Sequence, residues 1–168
     1  VRLMAAGENE KALQLVGDVI AADPGNPRAY HFRGQVHREL RMNGEAVADY
    51  SRVLELNPDD KLRAETFQAR GECHFKLGKF RASMADFDAR LELRPAEDPY
   101  HWQRGISCYY AGEYEKGYQQ FERHQTVNSQ DVENAVWHFL CRARATDIRE
   151  ARASLIAISG DQCVPMME

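Results

Sequence analysis

Three short stretches place reactive side chains in one frame: Arg33-Gly-Gln-Val-His37, Arg70-Gly-Glu-Cys-His74 and Arg104-Gly-Ile-Ser-Cys108. In each, an imidazole or a thiol follows the glycine by three residues. Two histidines and a cysteine are ordinary zinc ligands, and a cysteine working with a histidine is the pair that a thiol hydrolase needs. The arginines that head the stretches suit a different chemistry, the binding of a carboxylate. Whether the three stretches converge on one centre, or repeat one structural position, depends on the elements that carry them.

Those elements recur. Gly34, Gly71 and Gly105 are 37 and 34 residues apart, and Pro24, Pro58 and Pro95 are 34 and 37 apart. Ala12, Ala46, Ser83 and Gly117 keep spacings of 34, 37 and 34, and so do the bulky residues Val16, Tyr50, Phe87 and Phe121. The columns agree on a three-residue insertion between Pro58 and Gly71, placed most simply at Lys61-Leu62-Arg63. Within each unit the apolar residues recur every three or four positions, the period of a helix. Asn26-Pro27 and Asp98-Pro99 set a capping side chain before a proline at the first helical position. Gly78 and Gly112 fall where a first helix ends in a left-handed residue, and Arg41 stands where the equivalent glycine is expected. Asn57-Pro58 and Arg94-Pro95 close second helices. Each unit is therefore a helical hairpin with a tight turn.

Gly at the eighth position, a small residue at the twentieth, an aromatic at the twenty-fourth and Pro at the thirty-second: this pattern resembles the tetratricopeptide repeat (TPR). Full units read 27–60, 64–97 and 98–131, with a partial unit over 1–26. The resemblance covers 1–131 and implies an all-α, right-handed superhelix. Residues 132–168 supply capping helices and a tail, since a solenoid end needs a cover. Asp147 and Glu150 match a capping box, with Ile148, Ala151, Leu155 and Ile158 as the apolar stripe of the last helix. The stretch 103–121 with Val136-Trp137-His138-Phe139-Leu140 is also similar to bacterial TPR lipoproteins of the NlpI type. That similarity implies a bacterial cell-envelope adaptor on the periplasmic side; the cytoplasm is the alternative.

The repeat decides the opening question. His37, His74 and Cys108 all occupy position eleven, a column where the family usually has a core tyrosine. Equivalent positions lie about one helix spacing apart, roughly 10 Å, whereas zinc ligands sit at about 2.0–2.3 Å. These side chains are packed core, and no metal is expected. Arg33, Arg70 and Arg104 occupy position seven; Asp49 and Asp86 occupy position twenty-three. They are expected to form structural ion pairs, either within a unit (Arg33 with Asp49, Arg70 with Asp86) or between units (Arg70 with Asp49, Arg104 with Asp86).

Composition narrows the function. The 168 residues are 43% hydrophobic and 29% charged, which suits an ordered, soluble chain. A net charge of −4 without basic runs argues against a nucleic-acid groove. No apolar run is long enough for a membrane span. Cys73, Cys108, Cys141 and Cys163 are widely spaced, without C-x-x-C, and are expected as free thiols. No nucleophile elbow, phosphate loop or H-E-x-x-H is present, so neither enzyme activity nor a cofactor is expected.

What remains is binding. The resemblance places the first helices on a concave face, where Phe32, Phe75, Trp102, Ile106, Tyr109 and Tyr110 would line an aromatic groove. The Lys/Asn/Arg carboxylate clamp of chaperone-binding TPRs is missing; His31, Gln35, Gln68, Ala69 and Gln103 stand in its place. A protein or peptide partner with an apolar segment is expected. The alternative is a groove filled by the chain's own C-terminal segment or by a second copy, as in a homodimer.

Overall fold

The computed structural model describes residues 6–159. The tail after Ser159, with Cys163, lies outside the described residues. Among the described residues all regular structure is helical. The helices are α1 (Ala6–Ala22), α2 (Pro27–Glu39), α3 (Asn43–Glu55), α4 (Asp60–Lys76), α5 (Phe80–Leu93), α6 (Trp102–Ala111), α7 (Tyr114–Gln125), α8 (Val132–Ala145) and α9 (Ile148–Ala153). The chain divides into two compact units, Val1–Leu93 and Arg94–Glu168. The repeat boundary at 131 lies inside the second.

In the first unit α2 pairs with α3 and α4 with α5, while α1 packs on α2. In the second, α6 pairs with α7, and α8 packs on α7 and α9. The contact that closes each hairpin is the same. Tyr50, Phe87 and Phe121 are fully buried, and each ring lies flush against the glycine of its own first helix. A Cβ on Gly34 would sit 2.7 Å from the Tyr50 ring; on Gly71 it would sit 2.6 Å from Phe87, and on Gly105 2.6 Å from Phe121. No side chain fits in those gaps.

The turns between paired helices share one design. Gly78 (φ 70°), Gly112 (φ 82°) and Arg41 (φ 59°) are all left-handed. The next residue then donates its N–H back to a carbonyl five residues earlier: Met42 to His37, Lys79 to His74 and Glu113 to Cys108. Arg41 thus takes the geometry of the expected glycine at a steric cost that glycine avoids. The insertion at 61–63 lengthens α4 by a turn at its start, where Leu62 is buried and Asp59 caps the Leu62 N–H.

Two starts differ from expectation. Asn26 caps α2 as expected, accepting from the N–H groups of Arg28 and Ala29. Asp98, however, caps nothing, because Pro95–Tyr100 forms a 3₁₀ turn and α6 begins at Trp102, where His101 Nδ1 accepts from Arg104 N–H. The carbonyls of Asp98 and Pro99 are held by Gln120 Nε2 (2.6 Å) and His124 Nδ1 (3.0 Å) of α7. At the other end Asp147 caps α9 through the N–H groups of Arg149 and Glu150. The last helix is shorter than its apolar stripe suggested. It stops at Ala153, and residues 155–159 run without helix, with Ile156 and Ile158 half-buried and Leu155, Ala157 and Ser159 exposed. That period-two alternation is the pattern of extended chain, and isoleucine favours it.

Replacing Gly71 by Ala should cost about 1–3 kcal/mol by overpacking against Phe87. Gly44, in α3 with no atom within 4 Å of its would-be Cβ, is the control: Gly44→Ala should be neutral or stabilising by up to about 1 kcal/mol. Urea unfolding of the two variants measures both.

Candidate functional site

The recurring frame around the three arginines resolves into polar clamps. Asp49, buried on α3, accepts Arg33 Nε at 3.0 Å on both oxygens and Arg33 Nη2 at 2.5 Å, and His37 Nδ1 donates to its Oδ2 at 2.8 Å. The hydrogen bond to Asp49 raises the Arg33 pKa, so this guanidinium is permanently charged. Asp86 repeats the arrangement with Arg70 (Nε 3.0 Å and 3.2 Å, Nη2 2.6 Å) and His74 (3.0 Å). The pairing is thus within each hairpin, from first helix to second. Arg70 also reaches back through Nη1 to Ser51 Oγ at 3.0 Å, tying its hairpin to the preceding one.

The third hairpin changes both partners together. Position twenty-three is Gln120 and position eleven is Cys108; Arg104 Nη1 donates to Gln120 Oε1 at 3.0 Å. A neutral amide cannot support a histidine as a carboxylate does, and the apolar thiol takes the histidine's place. The His/Asp against Cys/Gln pattern was visible in the sequence and marks positions eleven and twenty-three as touching. Among the described residues no group of three or more His, Cys, Asp or Glu side chains could hold a metal ion.

Cys73, Cys108 and Cys141 are free and buried. Burial raises the Cys73 thiol and, reinforced by Cys108, pushes Cys141 up to about 12. A thiol so far from ionisation is not a nucleophile.

The first-helix faces differ between the units. In the first unit they are polar and satisfied by one another. Thr66 Oγ1 donates to Leu62 O, so its lone pair accepts from His31 Nδ1 at 3.1 Å, and His31 Nε2 accepts from Gln35 Nε2 at 3.1 Å. His31 is therefore neutral, and burial lowers its pKa against a smaller opposing pull from Glu65. Arg38 pairs with Glu72 at 2.7 Å, and Gln68 donates to the same carboxylate at 2.9 Å. Phe32 stands exposed on α2, and Phe75 is half-buried, edge-on to Phe80 at 5.3 Å.

In the second unit the same face is aromatic. Trp102, Ile106 and Tyr109 of α6 lean on a core of Phe121 and Cys141, together with Tyr118 and Trp137. Trp137 stacks on Phe121 at 6.5 Å and meets Tyr109 edge-on at 5.5 Å and Tyr110 at 6.1 Å. Helix α8 keeps the repeat register. Cys141 lies against Gly117 at the position where Cys73 lies near Ala46, so α8 is the first helix of a further unit. Phe139 takes the place of the position-eight glycine, which suits the short α9 that follows. Trp102 and Tyr109 are thus edges of the core; the open rim is Tyr110 and Val136, each 50% exposed. Val136 was not among the expected groove residues. It became legible only once α8 was seen to continue the register.

The comparisons agree with this geometry. Residues 27–60 match the family model described as "Tetratricopeptide repeat". The match spans one helical hairpin of the repeating fold, α2 with α3. Among solved structures, "Crystal structure of MamA protein" aligns with a TM-score of 0.75 and 17% identity over 88% of this chain and 79% of that one. A MamA from Desulfovibrio magneticus RS-1 gives 0.73 and 17%, over 88% and 81%. YrrB, described as "a TPR protein with an unusual peptide-binding site", gives 0.77 and 18%, over 86% and 73%. At these identities the TPR fold is what is shared. No curated protein sequence matches the chain.

Two outcomes are expected. Asp49→Ala strands Arg33 and His37 and should cost about 2–3 kcal/mol, the range for hydrogen bonds to charged groups, measured by urea unfolding. The second concerns pH. His31 and His138 both have lowered pKa values through burial. The unfolded chain therefore binds protons first as pH falls through about 6.5. Stability should be at its full value above that pH and decline towards pH 5, and His31→Gln should flatten the decline, as followed by thermal melts across that range.

Proposed function

We propose that this TPR protein is a non-catalytic interaction scaffold that binds an apolar peptide segment or helix of a partner protein on the α6–α8 face of its second unit. The observation that carries this reading is the contrast between first-helix faces. In the first unit the face is closed by its own hydrogen bonds, His31 to Thr66 and Arg38 to Glu72. In the second, Tyr110 and Val136 stand half-exposed around the edge of Trp137. Aromatic rims backed by a rigid core suit apolar anchors of a peptide, because the rings lose little conformational freedom on binding. The description of YrrB as a peptide-binding TPR protein points the same way. Trp102, Ile106, Tyr109 and Tyr110 are the expected contact residues in this unit, with Phe32 and Phe75 as separate contacts in the first.

A second reading has one observation in its favour. Ser159 N–H donates to Gln130 Oε1 at 3.0 Å, so the chain returns to the start of α8 just before residues 160–168. Those residues include Val164, Pro165, Met166 and Met167 and would be an apolar occupant of the same face.

Peptides selected from a displayed library against the full chain should carry paired apolar anchors. The double variant Tyr110→Ser, Val136→Ser should weaken them by at least about tenfold, near the 1.4 kcal/mol that a modest anchor contributes, with the thermal midpoint nearly unchanged. Trp102→Ala is a poorer test, since that ring supports the core and its loss lowers the midpoint. Selected peptides that ignore Tyr110 and Val136 would refute the reading; peptides that bind only after removal of 160–168 would favour self-occlusion.

A further inference from the structure

Arg41 is a residue that the fold does not require. It holds a left-handed turn (φ 59°) where the other hairpins have Gly78 and Gly112, and a Cβ there carries a steric cost. Strained positions gather where a side chain serves function. Within the chain Arg41 serves none: it is exposed, and its side chain forms no hydrogen bond or ion pair among the described residues. Lys76, Lys79 and Arg81, around the next turn, are exposed and equally unpaired.

The two turns lie on one edge of the first unit. His31 bonds Thr66 and, further along, Arg38 bonds Glu72, so α2 and α4 run side by side in the same direction. Their ends are about one helix spacing apart, roughly 10 Å. Beside the cations stand two exposed apolar side chains, Met42 (37%) and Leu77 (40%). Glu39 and Glu45 are the exposed carboxylates next to the first turn, two against four cations. The hairpin needs none of these charges: in the third one the places of Lys76, Lys79 and Arg81 are held by Tyr110, Glu113 and Glu115.

We propose that this turn edge binds an acidic peptide segment of a partner protein, one that carries an apolar side chain among its carboxylates. Charge complementarity specifies the occupant. Four unpaired cations on two adjacent turns suit successive carboxylates, and Met42 and Leu77 give an apolar residue a surface on which to lose its water. An anionic bilayer fits less well. The chain carries a net charge of −4, and a flat bilayer would press on Glu39 and Glu45, which a narrow peptide can avoid. The edge is distinct from the α6–α8 rim.

The probe is a labelled synthetic peptide of glutamates flanking a single central leucine, titrated with the full chain by fluorescence anisotropy at about 0.05 M salt. Lys79→Glu should weaken binding at least about tenfold. Lys61→Glu, the same charge change at the opposite end of α4, should alter it less than about twofold. Replacing the peptide's leucine by serine should weaken binding about threefold. Arg41→Gly separates function from fold: it should raise the thermal midpoint while weakening the peptide at least about threefold. An affinity that Arg41→Gly leaves unchanged, equal losses from Lys61→Glu and Lys79→Glu, or a peptide that does not saturate the chain would each overturn the proposal. So would vesicles of phosphatidylcholine and phosphatidylserine that sediment the chain through Lys79 while the peptide fails to bind, since the edge would then belong to a membrane. The double variant Tyr110→Ser, Val136→Ser should leave these titrations unchanged, which keeps this test separate from the rim.

Discussion

The fold depends on a missing side chain. In each complete hairpin an aromatic ring occupies the volume that a Cβ would need, with would-be contacts of 2.6–2.7 Å at Gly34, Gly71 and Gly105. That closeness brings the two helices near enough for position seven to reach position twenty-three. The Arg33–Asp49 and Arg70–Asp86 pairs are consequences of the approach, since a helix displaced by even a methyl group would draw the guanidinium fork away from its carboxylate. The clamps then fix rotation about the contact, which a smooth ring against glycine leaves free. Non-directional packing sets the distance and directional hydrogen bonds set the angle.

Much of this was legible because a repeat prints the same constraint several times. Four columns with shared spacings located the hairpins and the insertion at 61–63, whereas Arg41 read as a departure from the turn glycine and only the structure gives it the left-handed geometry. What escaped the sequence was set by competition between local signals. Asp98-Pro99 reads as a cap and a first turn, yet Gln120 and His124 claim the carbonyls that such a turn would use. The stripe Ile148, Ala151, Leu155, Ile158 reads as one helix, yet its second half is built of residues that sit as comfortably in extended chain. In α8 the register is hidden by Phe139 in the glycine column, and only the contact between Cys141 and Gly117 reveals it.

The histidines show why residue type alone misleads. His37 and His74 are neither ligands nor inert filling: each completes the coordination of a buried aspartate by hydrogen bonds. Where the aspartate becomes Gln120, the histidine becomes Cys108. The unit of meaning is the pair, not the residue, and a pair sixteen and twelve residues apart along the chain is invisible to any local window.

These separations bear on how the chain reaches its fold. The clamps span 12 to 16 residues, and the longest bonds between successive hairpins, His31 to Thr66 and Arg38 to Glu72, span 35 and 34. Every one of these loops is short, so little entropy is lost before its closing contact forms. Such local topology favours rapid assembly, with a hairpin able to close as soon as its own residues leave the ribosome and to serve as the template for the next.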